Sequence, residues 1–413
     1  MSNMKNSATT AAASPSISDG TGNADLRARL LKSWLRRIRH GTITVNMPGG
    51  HSFTFEGTIP RQHAHLDIHN MRVVTRTLWG GDTAFAESYM DGDWDSPDLT
   101  TLLMLGQNNA DALSASLGPT WAMRLAGRLR HACRRNSKKG SRRNIAAHYD
   151  LGNDFYKHWL DETMTYSSAL FEDMNEEMVP AQRRKYTRLA KKLDLKPGDR
   201  ILEIGCGWGG FAEIAAREFG CHIVGLTLSR EQAAFARDRM ARQGLSEMVD
   251  IRIQDYRDIT ETFDKIVSIE MFEAVGEKYW PTFFNVVDNC LKPGGKAALQ
   301  IITIDAEAFE NYRRNPDFIQ RYIFPGGMLP SPEAFASVAN QSGFRLSDAF
   351  FFGKSYAETL RRWEQLFCKN WPRISPLGFD ERFYRMWRYY LSYCEAGFDH
   401  GTIDVGQFMI ERA

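Results

Sequence analysis

Short apolar runs and amphipathic stretches take turns along the second half of this chain. The runs at 200–204, 222–226, 250–253, 264–269 and 296–304 read as strands, the first of them buried. Helical patterns begin near 210, 230 and 278. Strands that alternate with helices predict an α/β unit, a parallel sheet covered by helices on both sides. Lys292-Pro-Gly-Gly295 reads as the turn into the fifth strand. Residues 305–345 are too long for a link between neighbouring strands, so they are expected to form an inserted helical cap over the site. Two further helices, 356–372 and 380–396, carry Trp363, Phe367, Phe383, Tyr384, Trp387 and Tyr390, and Thr402 to Ile410 reads as a last strand.

The first half has a different rhythm. Leu26 to His40 reads as a basic helix. A hairpin is expected around Pro48-Gly49-Gly50, because Thr42, Thr44 and Asn46 alternate with apolar neighbours. Strand-like sequence follows at Leu66 to Leu78, then a helix containing Phe85 to Met90. The expected organisation is a disordered tail (1–24), a small α+β module (25–120), a basic linker (121–143) and a catalytic region (144–413).

Composition narrows the classes. A chain of 413 residues has room for two domains, and 43% hydrophobic with 25% charged residues is the balance of a soluble globular protein. No run of about 18 apolar residues occurs, so no transmembrane helix is expected. The tail has no apolar stretch of the signal-peptide kind, so export is not expected. Six cysteines, at 133, 206, 221, 290, 368 and 394, lack C-x-x-C spacing. That argues against a zinc site or a disulfide frame and fits a reducing cytoplasm. Net charge is only +2, yet Arg124 to Arg143 holds nine Lys or Arg and no acid. This is either a solvated linker or a patch that docks on an anionic membrane surface. No nucleic-acid motif accompanies it, so no nucleic-acid partner is expected.

The candidate chemistry centres on Asp199-Arg-Ile-Leu-Glu-Ile-Gly-Cys-Gly-Trp-Gly-Gly210, a strand running into a glycine turn and a helix. Gly205, Gly207 and Gly209 let the backbone approach a nucleotide-like ligand. A dinucleotide fold places an acid about 20 residues on, at the tip of the second strand. That tip is Thr227-Leu228-Ser229 here. Glu203 precedes the glycines instead, and Asp255-Tyr256 after the third strand suits an adenine. The pattern favours S-adenosylmethionine (SAM) over NAD.

Several further segments carry a resemblance. They are Ala147 to Tyr156, Thr165-Tyr-Ser-Ser-Ala-Leu-Phe171, Leu202 to Gly209, Gly225-Leu-Thr-Leu-Ser229 with Gln232, Ser268-Ile-Glu-Met-Phe-Glu273, and Phe324 to Pro330. Together, and in this order, they resemble the cyclopropane-fatty-acyl-phospholipid synthase family. Tyr89-Met-Asp-Gly-Asp-Trp94 with Asp98-Leu99 is similar to the N-terminal module of its phospholipid-modifying members. The resemblance implies a class I SAM-methyltransferase (Rossmann-like) fold. It implies transfer of a one-carbon unit from SAM to the double bond of an unsaturated acyl chain, usually in a membrane phospholipid, and with the basic run at 124–143 the enzyme is expected to be peripherally membrane-associated. It also makes a homodimer the expected assembly.

What the family implies about the site carries over residue by residue. Tyr166 and Ser167 should lie near the carboxylate and sulfonium of SAM. A bound bicarbonate is implied as the base, held by Glu273, the Ile302 backbone, Tyr356, and two positions that depart from the family. The family's Cys is Ser168 here, and its His is Gln300. Serine still offers a backbone N–H, but glutamine cannot carry a proton charge. The bicarbonate is then held more weakly, or the proton leaves by another route. The second departure keeps a branched product open, because the same cation can shift a hydride and give a methylene- or methyl-branched chain. Glu273 can also simply cap the next helix, and Tyr149 and Asp150 can close over the cofactor or merely start one. A soluble small-molecule methyltransferase and a non-catalytic binding protein are the competing classes.

Overall fold

The computed structural model describes residues 26–114 and 151–413, which fall into two compact units, one within residues 1–120 and one within 121–413. The expected tail, the basic linker and the Tyr149–Asp150 pair lie outside the described residues.

The first unit opens with α1 (Leu26–Leu35), β1 (His40–Asn46), β2 (Ser52–Glu56) and β3 (Ile59–Ile68). The expected basic helix stops five residues early, because His40 already pairs with Ile59 in the sheet. The hairpin forms as its alternation predicts, with Ile43, Val45, Phe53 and Phe55 buried. The strand expected at Leu66 to Leu78 is a correction. Strand β3 ends at Ile68, and α2 (Arg72–Met90) begins four residues on. Val73, Val74 and Thr77 are β-branched, yet their spacing places them on one buried helical stripe. Burial outweighs the strand preference of the residue types. Strand β4 (Trp94–Asp95), α3 (Leu99–Asn108) and α4 (Ala110–Ser114) complete the unit, and the sheet order is β2-β1-β3-β4.

The second unit begins with α5 (Asn153–Tyr156) and α6 (Met178–Lys192). Alternation then follows: β5 (Arg200–Ile204), α7 (Gly210–Phe219), β6 (His222–Thr227), α8 (Arg230–Arg242), β7 (Val249–Ile253), β8 (Phe263–Ile269), α9 (Trp280–Cys290) and β9 (Leu291–Ile304). These five strands are parallel, as the apolar runs predict. Ile201 packs into the core on one face of the sheet, while Leu202 and Ile204 pack into the core on the other.

Three details differ from expectation. Lys292 to Gly295 lies within β9, not in a separate turn, although the pairing with β8 is irregular there. The insertion is shorter than expected. Beyond α10 (Ala306–Arg314) and a π-helical turn (Ile319–Ile323), α11 (Pro332–Gln341) and β10 (Phe344–Phe351) belong to the core layers. Phe335 and Ala339 of α11 are fully buried, and β10 is an edge strand whose alternating exposure hides it among polar residues. After α12 (Gly353–Ile374) and α13 (Glu381–His400), β11 (Ile403–Arg412) runs antiparallel between β9 and β10, so the sheet is mixed. The order is β10-β11-β9-β8-β5-β6-β7. No helix of the described residues is long and apolar enough to cross a membrane.

Candidate active site

Strand β5 ends in the glycine turn. Gly205, Gly207 and Gly209 have φ of 85°, 52° and 83°, a region that side chains disfavour. The N–H groups of Gly205 and Cys206 both donate to the Leu226 carbonyl, at 3.0 and 2.9 Å, which ties the turn to β6. A Cβ on Gly205 would lie 2.8 Å from Cγ of Met271, whereas one on Gly207 would meet nothing within 4 Å. The turn thus packs tightly on one side and faces open space on the other. Glu203 is buried beneath it. One of its oxygens accepts the Ala212 backbone N–H, Oε2 has no hydrogen-bond partner, and burial holds the carboxyl well above its ordinary range. Trp208 donates its indole N–H to Oδ1 of Asn153 at 2.7 Å, which joins the motif at 147–156 to the turn.

The second and third strands end differently. Thr227 donates to Oε1 of Gln232 at 2.9 Å, and Ser229 accepts the Gln232 N–H at 3.2 Å as the cap of α8. The side chains of Thr227 and Gln232 therefore hold each other, Ser229 Oγ holds the Gln232 backbone, and Leu228 is half-buried beside them. Asp255 is buried and paired with Arg257 at 2.6 Å, and Tyr256 stands edge-on to Phe283.

The centre of the site is a carboxylate to which the sequence motifs attach no role. Glu270 follows β8 with φ of 50°, unusual for a residue with a side chain. Its Oε1 accepts Ser167 Oγ–H at 2.7 Å, the Ser168 N–H at 3.0 Å and the Gln300 Nε2–H at 2.7 Å. Its Oε2 accepts the Tyr356 hydroxyl at 2.8 Å. Gln300 is turned the right way by Gln407, which donates to Gln300 Oε1 at 3.0 Å from the adjacent β11. Glu273 stands one short turn on. Its Oε1 accepts the Ile302 N–H at 2.5 Å, and its buried Oε2 has no partner. Burial, then the neighbouring Glu270 charge, push the Glu273 carboxyl up to about 8. Ser168, Gln300, Ile302, Tyr356 and Glu273 are thus brought together around two adjacent carboxyl groups. The available signal for Glu270 was its place three residues before Glu273, but a lone acid after a strand carries no role by itself.

Aromatic rings wall the centre. Tyr166 shares a 2.7 Å hydrogen bond with the Tyr390 hydroxyl and stands 5.4 Å from both Trp159 and Trp363. Tyr356 stacks on Phe398 at 4.4 Å. Such faces stabilise a nearby cation by about 0.5–2 kcal/mol.

This geometry has relatives. Residues 136–408 match the mycolic acid cyclopropane synthetase family. The chain belongs to that family. A tuberculostearic acid methyltransferase of Mycobacterium tuberculosis is 40% identical over 87% of this chain and 86% of its own. The cyclopropane-fatty-acyl-phospholipid synthase of Escherichia coli is 38% identical over 84% and 88%. The crystal structure of a mycolic acid cyclopropane synthase bound to SAH and CTAB superposes with a TM-score of 0.62, at 32% identity, over 66% of this chain and 98% of that one. The fold is that of the class I SAM methyltransferases, and this member of the cyclopropane synthetase family is a SAM-dependent methyltransferase. The open face at Gly207 and the unpartnered Glu203 oxygen fit a ligand with hydrogen-bond donors at the glycine turn. Bicarbonate fits less well. Three of the donors that family resemblance assigns to it, on Ser168, Gln300 and Tyr356, are taken by Glu270, and the Ile302 N–H is taken by Glu273.

Proposed function

We propose that this enzyme transfers a one-carbon unit onto the double bond of an unsaturated acyl chain of a membrane phospholipid and closes it to a cyclopropane. The observation that carries the reading is the cluster of two adjacent carboxyl groups, flanked by aromatic rings, at the carboxyl ends of the sheet strands, where open α/β sheets bind ligands. SAM supplies an electrophilic methyl group. Gly205, Gly207, Gly209 and Glu203 hold it at the first strand, Leu228 flanks it at the second, and Asp255 and Tyr256 face its adenine at the third. Thr227, Ser229 and Gln232 shape that wall through their mutual bonds. Tyr166 and Ser167 stand beside the transferred methyl.

An alkene is a weak nucleophile, so its orientation in a dry pocket matters, and such positioning supplies up to about 7–11 kcal/mol. Attack leaves a cation on the acyl chain. The rings of Tyr166 and Trp363 stabilise it, and the packed aromatics of α12 and α13 exclude water. The basic residues between Arg124 and Arg143 bring the enzyme to anionic headgroups, and the working form is a homodimer.

A second reading, a methylene- or methyl-branched product, is favoured by Gln300 in place of the family's His and by the 40% identity to a tuberculostearic acid methyltransferase. Incubation with labelled SAM and liposomes of mono-unsaturated phospholipid tests the main reading, and label confined to the aqueous phase would sink it. Mild hydrogenation separates the products, since a methylene takes up hydrogen and a ring resists. Neutralising Arg134, Arg135, Lys138 and Lys139 should release the protein from anionic liposomes, and light scattering reports the dimer.

A further inference from the structure

We propose that the Glu270 carboxylate is the base of this reaction, built into the chain where a free anion would otherwise have to bind. The inference rests on the one-carbon transfer proposed above.

Four donors from three separate segments converge on this one side chain: Ser167 and Ser168, Gln300, and Tyr356. Such a cradle holds an anion in a fixed direction. Glu270 is also only half-buried, unlike Ser168, Gln300 and Tyr356 around it. The next residue, Met271, is the one a Cβ on Gly205 would strike, which puts Glu270 one residue from the glycine turn. Its left-handed backbone is a strained state that persists where the surroundings enforce it, often at functional sites. A structural acid has no need of that combination.

The step balances as follows. The methyl forms a C–C bond to one alkene carbon as its C–S bond to the sulfonium breaks. The electron pair stays on sulfur, the neutral thioether S-adenosylhomocysteine leaves, and the other alkene carbon becomes cationic. Glu270 removes a proton from that methyl. The electrons of the broken C–H bond close the second C–C bond and neutralise the cation. The proton then has a route inward. Ser167 Oγ touches both Glu270 and the buried Nζ of Lys185, at 2.7 Å each. Burial lowers the Lys185 ammonium to about 7, so a neutral amine is accessible to receive the proton at neutral pH.

The test uses the full chain with labelled SAM and mono-unsaturated phospholipid liposomes, in buffer freed of carbon dioxide. The wild type should turn over equally with and without added bicarbonate. Glu270→Gln should lose at least about a hundredfold, the scale of a positioned general base, and bicarbonate should not restore it. Glu270→Gly relieves the backbone strain and frees the four donors, so it should fold, be inactive, and recover at least about tenfold of its lost rate with formate or bicarbonate. Carbon-13 bicarbonate should bind the glycine variant and not the wild type, a readout that needs no lipid. Stimulation of the wild type by bicarbonate, bicarbonate binding to the wild type, or near-normal turnover by Glu270→Gln in a variant that still binds SAM would overturn the proposal. A wild type that labels no unsaturated lipid would instead bring down the one-carbon reading, and the anion titration would still decide whether Glu270 fills the anion position.

Discussion

Tyr356 donates its hydroxyl to Oε2 of Glu270 at 2.8 Å across 86 residues of chain, so a polar contact flanked by aromatic rings ties α12 to the loop after β8. Removal of that hydroxyl in Tyr356→Phe leaves the ring and its stacking on Phe398 in place. A hydrogen bond to a charged group contributes about 1.5–3 kcal/mol, so kcat should fall by about ten- to a hundredfold. The calorimetric affinity for SAM and the KM for lipid should stay near wild type. An equal loss of SAM affinity would mean that the tyrosine holds the pocket together rather than orienting the carboxylate.

Gly205→Ala places a methyl 2.8 Å from Met271 Cγ at a φ of 85°. Both effects oppose the native turn, and the cost should be about 1–3 kcal/mol in urea unfolding. SAM binding should be lost as the turn shifts. Gly207→Ala meets no neighbour within 4 Å and should lose less stability while still weakening SAM. Equal stability losses in the two variants would contradict this reading of the turn.

Asn153→Ala removes the acceptor of the Trp208 indole N–H. The neutral hydrogen bond is worth about 0.5–1.5 kcal/mol, so SAM should bind about three- to tenfold more weakly. The rate at saturating SAM should be nearly unchanged. A fall in kcat at unchanged affinity would place Asn153 in the chemistry instead.

Glu273 gives stability a pH dependence. Its folded carboxyl is raised to about 8 from an ordinary 4.5, so the folded chain keeps a proton that the unfolded chain releases in between. Its contribution is whole below 4.5 and is lost as pH rises through 8. Glu273→Gln cannot titrate. Relative to wild type it should gain at least about 1 kcal/mol between about pH 5 and about pH 8.5, read by urea unfolding at each pH. A difference that stays constant with pH would show that the carboxyl is not held protonated.

Much of the fold is legible from local pattern. Four of the five parallel strands fall where apolar runs lie, because a strand buried on both faces needs apolar side chains in succession, and the fifth, the edge strand β7, keeps only the alternation of Val249, Ile251 and Ile253. Strand β10 is not legible, since an edge strand alternates and Phe344-Arg-Leu-Ser-Asp reads as well as a loop. Helix α2 is misread for the opposite reason, as its β-branched residues are valines and threonines that packing forces into a helix.

The candidate site divides in the same way. By itself the sequence determined the glycine turn, the missing acid at the tip of the second strand, the motif order and the departures at Ser168 and Gln300, because each is a matter of residue type and spacing. Only the tertiary structure brought Glu270 to the centre of the site. Glu270 gains its meaning from donors 86 to 103 residues away, and from Gln300, 30 residues on across the sheet. Such contacts arise when the sheet and α12 close around the pocket, and no local pattern in the chain records them.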